Sequence, residues 1–275
     1  MQNPISESVP ATAKPHRHIL GLSGGKDSTA LAIYMKDRVP EMEYFFCDTE
    51  KELDETYSYL AKLEQYLCKP IVRLKYDGLG FDQILKMKNG FLPSPQVRWC
   101  TELLKIKPFE RYVGDAAVFS YVGIRADEMS RKGYISTKPN IVARFPFIDA
   151  GIKQADVRRI LEQSGLGFPD YYEWRSRSGC YFCFYQQRRE WVGLLEKHPD
   201  LFKKAMEYER FDSATGIAYT WVQGESLADL SKPERIAQIK EEYERRLKNT
   251  NKQKSDNPLK DVFSDDSTGC LICHL

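Results

Sequence analysis

Where the apolar run His18-Ile-Leu-Gly-Leu22 stops, the hexapeptide Ser23-Gly-Gly-Lys-Asp-Ser28 begins, and from Asp27 to Arg38 the apolar residues Ala30, Leu31, Ile33 and Tyr34 fall at helical spacing. A strand that meets a helix through two glycines points to an α/β layout. It also aims backbone N–H groups and the positive end of the helix dipole at one spot, where an anion docks. Lys26 adds a full charge there. A Walker A loop requires Gly-x-x-x-x-Gly-Lys-Ser/Thr, but position 20 is Leu20 and Asp27 follows Lys26, so the chain is not a P-loop NTPase. A bare strand-to-helix turn accounts for Gly24 and Gly25. It leaves Ser23, Lys26, Asp27 and Ser28 gathered beside them without a reason.

The same alternation continues downstream. Glu43 to Asp48 reads as a buried strand; Leu53, Tyr57, Leu60, Leu63 and Leu67 share one helical face. Ile71 to Lys75 reads as a third strand, Phe81 to Lys88 as a short helix, Ala117 to Ile124 as a fourth strand and Ile141 to Phe145 as a fifth. Strands alternating with helices predict a mostly parallel sheet with helices on both faces, whose ligands sit at the carboxyl ends of the strands. The expected division is a tail over 1–17, an α/β core over 18–150 and a helical, cysteine-containing region over 151–275. In that region Lys153 to Ser164 looks helical, Gly165 to Pro169 breaks the pattern, Gln187 to Lys248 offers several polar helices, and Asn249 to Asp261 reads as a linker. The charged helix from Glu234 to Lys248 reads as a solvated face with i,i+4 ion pairs.

Composition limits the partners. With 275 residues, 42% of them hydrophobic, the chain can bury a real core. Forty-one Lys+Arg against 39 Asp+Glu leave a net charge of +2, so any nucleic-acid contact must come from a local patch and not from bulk basicity. No apolar run approaches a membrane span, and residues 1–17 hold three prolines and no apolar segment. The expectation is a cytoplasmic protein with no membrane partner.

Seven cysteines, Cys47, Cys68, Cys100, Cys180, Cys183, Cys270 and Cys273, include two Cys-x-x-Cys pairs, which in a reducing compartment suit metal or redox chemistry better than disulfides. Four thiolates serve zinc or an iron–sulfur cluster equally well. Cys47, in a strand, and Cys68, near a helix end, are better explained by core packing. His274 reads as a solvated terminal histidine.

The hexapeptide resembles the PP-loop of the N-type ATP pyrophosphatases and the related PAPS reductases, adenine nucleotide alpha hydrolase-like proteins. That resemblance implies a pyrophosphate cradle made by Ser23, Gly24, Gly25, Lys26, Asp27 and Ser28, with ATP cut between its α and β phosphates. Asp48-Thr49-Glu50 resembles the segment that holds the adenosine, although Thr49 and Glu52 also spell a helix capping box. Arg98-Trp-Cys-Thr101 with Lys105 and Pro108, and Gly123-Ile-Arg-Ala-Asp-Glu128 with Arg131, are similar to segments of the PAPS reductase branch. They make Arg98, Lys105, Arg125 and Arg131 candidates for a cationic wall, or, read plainly, for surface ion pairs. The implied catalytic residues are Lys26, Asp27 and Arg125; Arg98, Gly123 and Arg125 join the loop, Asp48 and Thr49 as nucleotide-binding residues.

Iron–sulfur members of that branch imply a [4Fe–4S] cluster on four of Cys100, Cys180, Cys183, Cys270 and Cys273, with structural Zn²⁺ the alternative. The chain ends Gly-Cys-Leu-Ile-Cys-His-Leu275, unlike the catalytic C-terminal segment of true sulfonucleotide reductases. The full pattern, including Gln187, Glu190-Trp191 and His198-Pro199, is closer to the PAPS reductase-like proteins of DNA phosphorothioation. This implies ATP, Mg²⁺, a DNA backbone phosphate as acceptor, a cysteine desulfurase as sulfur donor and other subunits of a DNA modification complex. A sulfonucleotide reductase, a tRNA sulfur transferase and a nucleotide-binding module without turnover are the alternatives.

Overall fold

Five short apolar stretches pair side by side in the computed structural model, which describes residues 16–128, 136–213 and 216–253. They are β1 (Arg17–Gly21), β2 (Glu43–Cys47), β3 (Ile71–Leu74), β4 (Val118–Tyr121) and β5 (Ile141–Arg144), ordered β3-β2-β1-β4-β5 with every neighbour parallel. Ile19 of β1 lies opposite Glu43 on one side and Ser120 on the other. The order reverses at β1: the chain moves outward to β2 and β3, then returns to lay β4 on the opposite flank. The crevice beyond the carboxyl ends of β1 and β4 is therefore the topological switch point where open α/β sheets bind ligands.

Period-two alternation sorts side chains onto two faces. Leu20, Tyr44, Phe46 and Tyr121 pack with α1 (Lys26–Met35), α2 (Asp54–Leu67) and α7 (Gln154–Gln163). Ile19, Phe45, Cys47 and Val118 face the other way, onto Phe109 and Val113. The remaining helices of this part of the chain are α3 (Phe81–Met87), α4 (Trp99–Thr101), α5 (Lys107–Val113), which carries Phe109 and Val113, and α6 (Pro146–Asp149). The stretch after Arg98, which is the N-cap of α4, is helical and carries Cys100 and Lys105: α4 passes through a π-helical turn, Glu102–Ile106, into α5. Such turns are rare and concentrate at functional sites.

The last third contains α8 (Arg188–Lys197), α9 (Pro199–Tyr208), β6 (Arg210–Asp212), β7 (Ile217–Tyr219), α10 (Leu227–Leu230) and α11 (Pro233–Gln253). Two findings differ from the sequence expectation. The span read as several polar helices also carries an antiparallel β6–β7 pair, with Arg210 opposite Tyr219 and Asp212 opposite Ile217. The helix α11 continues to Gln253, past Lys248, since residues 249–253 include neither glycine nor proline to stop it. A third apolar cluster joins both parts of the chain: Leu53, Phe81, Trp99 and Leu104 pack with Phe182, Trp191, Trp221 and Leu227. Phe182 sits between them, its ring centroid 4.5 Å from Phe81 and 4.7 Å from Trp221. No helix among the described residues is long and apolar enough to cross a membrane.

Candidate active site

The hexapeptide leaves β1 and turns at Gly24, φ +72°, where only glycine is unstrained. A Cβ there would also fall 2.6 Å from Thr56 Cγ2, so the first turn of α2 packs directly on the loop. The two serines shape it from within. Ser28 Oγ accepts from the Ser23 N–H at 3.2 Å and lies 3.1 Å from Ser23 Oγ, which accepts from the Gly25 N–H at 3.3 Å. Lys26 opens α1 and is 3% exposed.

A strap formed by residues 171–178 lies across this loop. Tyr171 OH donates to the Gly24 carbonyl at 2.8 Å, the Lys26 N–H donates to Tyr172 OH at 3.0 Å, Lys26 Nζ donates to the Ser176 carbonyl at 3.5 Å, and Ser178 OH donates to Ser23 Oγ at 3.1 Å. A Cβ on Gly25 would stand 2.7 Å from Ser178 Oγ and 3.2 Å from Tyr172 OH, so this close approach depends on glycine. Buried Glu190 anchors the strap: its carboxylate accepts from Ser176 N–H at 2.7 Å, Ser176 OH at 2.6 Å and, through a capping box at the start of α8, Gln187 N–H at 2.9 Å. Protein oxygens thus meet both the main-chain and side-chain nitrogens of Lys26, the acceptor chemistry that a phosphate offers.

The segment after β4 forms the opposite lip. A Cβ on Gly123 would lie 3.2 Å from the Asp27 carbonyl oxygen, a backbone atom that cannot swing away, so Gly123 lets the two lips touch. Arg125, 4% exposed, is ringed by carboxylates: Asp27 at 2.8 Å, Asp127 at 3.0 Å and Glu128 at 3.2 Å. Burial alone would lower its pKa, but Asp27 and Glu128 reverse the sign and hold it above the ordinary arginine value. Arg125 is therefore neither an open wall cation nor a surface ion pair; it is the buried tie between the lips. Arg98 and Arg177 both lie over the Tyr185 ring, at 5.6 and 5.1 Å. Arg131 lies outside the described residues.

At the end of β2, Asp48 Oδ1 accepts from the Glu50 N–H at 2.9 Å and Tyr57 OH at 2.8 Å. Thr49 and Glu52 are bonded at 3.1 Å but form no capping box, because α2 starts at Asp54 with Leu53 as its N-cap. They face Cys180 instead: Thr49 Oγ1 is 3.2 Å from its sulfur, which donates to Glu52 Oε1 at 3.7 Å. Burial pushes the Cys180 thiol well above its usual range, and Glu52 adds to the shift. Burial likewise raises Glu52, with Lys105 and Arg175 pulling it back.

Cys183 receives a guanidinium nitrogen of Arg177 at 3.7 Å, and Cys100 sits on α4. The two cysteines of the first pair are close enough for Cys183 to perturb Cys180. Among the described residues no three Cys, His, Asp or Glu side chains gather as a metal site. The described thiols therefore do not by themselves fit a [4Fe–4S] cluster or a thiolate zinc centre; Cys270, Cys273 and His274 lie outside the described residues. Of the two cysteines assigned to packing, Cys47 is buried and its thiol is pushed up to about 12 by desolvation. Cys68 is exposed, because it ends α2 in the left-handed conformation, φ 53°, and points away from the core.

A sequence profile of the phosphoadenosine phosphosulfate reductase domain matches residues 17–173, more than half of the chain. The chain belongs to that family. The match takes in both lips of the crevice and residues 171–173 of the strap. Relatives of this PAPS reductase domain include an uncharacterized protein of Methanocaldococcus jannaschii, 26% identical over 66% of this chain and 45% of the relative. The tRNA-specific 2-thiouridylase of Limosilactobacillus reuteri is 23% identical over 56% of this chain and 49% of its own length. The chain spans less than half the length of these curated relatives. Among solved structures, the phosphoadenylyl-sulfate reductase from Candida auris, in a phosphate complex, superimposes over 61% of this chain and 82% of its own at 14% identity, with a TM-score of 0.50. That likeness concerns the fold.

The loop, the two lips and the cysteine pair were legible in the sequence, but the strap was not. Tyr171, Tyr172 and Ser176 lie in a stretch broken by Gly165, Gly167 and Pro169, where no periodicity operates. Glu190 carried a local signal, as the acidic third residue of α8, whose N-cap is Gln187.

Proposed function

We propose that this protein cleaves ATP between its α and β phosphates and adenylylates an acceptor into which sulfur is then inserted. The carrying observation is the intact PP-loop at the switch point, with Lys26 presenting its main-chain N–H and its ammonium group to oxygen acceptors. In the first step an acceptor oxygen attacks the α-phosphorus; the bond to the α–β bridging oxygen breaks, and its electron pair leaves with pyrophosphate. Lys26 and the helix dipole offset the charge that develops there. A sulfur nucleophile then displaces AMP from the activated acceptor. Adenylylation matters because an unactivated phosphate oxygen is a poor leaving group. Entry of ATP exchanges the Tyr172 and Ser176 oxygens for phosphate oxygens at Lys26.

Asp27 does not suit a divalent cation as placed: one oxygen meets Arg125 at 2.8 Å and the other Lys26 at 3.7 Å. Mg²⁺ would therefore arrive on the triphosphate, as is usual for this ion. A [4Fe–4S] cluster would need Cys270 or Cys273 beside the Cys180–Cys183 turn, and it enters no step here. The acceptor we propose is a non-bridging oxygen of the DNA backbone, with a cysteine desulfurase supplying sulfur and other subunits presenting the DNA. Arg98 and Arg177, which share the Tyr185 ring, with Arg177 reaching Cys183, support phosphate chemistry close to a thiol. A sulfonucleotide reductase is the second reading, favoured by the family match itself.

The test is pyrophosphate release from ATP with and without DNA or tRNA. Wild-type protein is expected to release pyrophosphate with stimulation by DNA, and Lys26→Ala to lose about a hundredfold or more, the scale of removing one transition-state donor. Stimulation by tRNA alone reassigns the acceptor. Absence of ATP cleavage together with tight PAPS binding replaces the proposal by the reductase reading.

A further inference from the structure

Away from the crevice, a pocket of about 370 Å³ opens between the start of α8, the Trp221–Gln223 segment and α11. Its volume falls within the roughly 300–1,000 Å³ typical of small-molecule sites. What sets it apart is Gln186, 6% exposed, whose carboxamide nitrogen and oxygen both lack a hydrogen-bond partner. A buried amide left unsatisfied at both ends is costly, and a native chain that keeps one in the wall of a pocket has a use for it. The charges on the wall favour an anion. Arg188, Arg189 and Arg246 line it together with one carboxylate, Glu242, and Arg188 is paired with Glu225 at 2.9 Å. Arg189 is fixed by two contacts, a 3.1 Å bond to Gln187 Oε1 and a cation–π contact 4.5 Å from the centre of the Tyr243 ring. Trp221, with one face stacked on Phe182, supplies an apolar wall.

We infer that this pocket binds one nucleotide unit, its base edge paired by the Gln186 amide and its phosphate held by Arg189 and Arg246. A primary amide offers a donor and an acceptor side by side, the pattern that reads a base edge in bidentate fashion, as glutamine reads adenine. Guanidinium groups grip phosphate, and an aromatic wall accepts a planar ring. A peptide would satisfy the amide but brings no phosphate for the arginines. The unit comes either from a polynucleotide acceptor or from a free nucleotide. The pocket is linked to the PP-loop through hydrogen bonds already described: Gln187 N–H to Glu190, Glu190 to Ser176, and the Ser176 carbonyl to Lys26. The inference deepens the proposed function, resting on it for the identity of the acceptor but not for the existence of the pocket.

The test measures binding of a fluorescently labelled single-stranded DNA oligonucleotide by anisotropy and of AMP by calorimetry, in the full chain, with no ATP present. Gln186→Leu removes the amide at nearly constant volume and is expected to leave thermal stability unchanged or higher. It should weaken binding about tenfold, the order of one lost bidentate base contact, while basal pyrophosphate release, with water as the attacking nucleophile in place of the acceptor, stays intact. A loss seen with the oligonucleotide assigns the pocket to a polynucleotide, and a loss seen with AMP alone assigns it to a free nucleotide. Wild-type protein that binds neither probe, or a Gln186→Leu variant that binds both as wild type does, overturns the inference. Lys26→Ala separates the two readings: it should abolish pyrophosphate release yet bind the oligonucleotide normally.

Discussion

Glu52 shows how one buried side chain ties the adenosine-side segment to the cysteine turn. It accepts from Thr49, meets the Cys180 thiol and is raised by desolvation, with Lys105 and Arg175 opposing. Because its folded pKa is raised, the native state holds this proton to higher pH than the unfolded chain does. Its contribution to stability is then fully present below the unfolded pKa and declines as pH rises through the folded value. Glu52→Gln keeps an oxygen acceptor for Thr49 but cannot ionise. Urea unfolding midpoints measured from about pH 4, near the ordinary glutamate pKa, upward to neutrality should therefore fall less in the variant than in wild type. Parallel profiles would show that Glu52 ionises normally inside the fold. Arg125 illustrates the opposite balance: its three carboxylates outweigh the desolvation of a group that is 4% exposed.

At the scale of elements, the strap and the loop compete for the same donors. Tyr172 OH holds the Lys26 N–H that the proposed phosphate requires, so removing the hydroxyl removes a competitor. Tyr172→Phe is expected to bind ATP more tightly by roughly 2- to 10-fold, the span of one net hydrogen bond, as read by calorimetry. Weaker binding would instead make Tyr172 part of the nucleotide's own surface. What the sequence revealed here follows from the range of each signal. Two glycines between an apolar run and a helical one are local, and β1, the loop and α1 were legible from them. The alternating strands predicted the parallel sheet for the same reason. The strap was not legible, because its bonds to the loop link residues about 150 positions apart, such as Lys26 and Ser176. Long-range pairing of this kind leaves no periodic trace. The Thr49/Glu52 pair misled differently: the residues do bond, but the helix they seemed to cap begins four residues later, with Leu53 in place of Thr49 as its N-cap.

For the molecule as a whole, the question is whether the α/β sheet and the C-terminal helices unfold together. The cluster around Phe182 takes Phe81 and Trp99 from the first half of the chain and Trp191, Trp221 and Leu227 from the second. Strap residue Tyr171 belongs to it as well, while its hydroxyl reaches the Gly24 carbonyl of the PP-loop. Melting the C-terminal helices alone would expose this aromatic surface and strip the loop of its cover, a large loss for a small gain in chain entropy. One cooperative transition is expected. The chain offers a direct check, since all four of its tryptophans report on this cluster: Trp99, Trp191 and Trp221 lie within it, and Trp174 packs against it. Far-ultraviolet circular dichroism follows the helices of both halves. Coincident urea transitions by fluorescence and dichroism would establish a single unit. A fluorescence transition at lower urea than the dichroism would show that the shared cluster opens first, leaving the sheet and its PP-loop to stand without the strap.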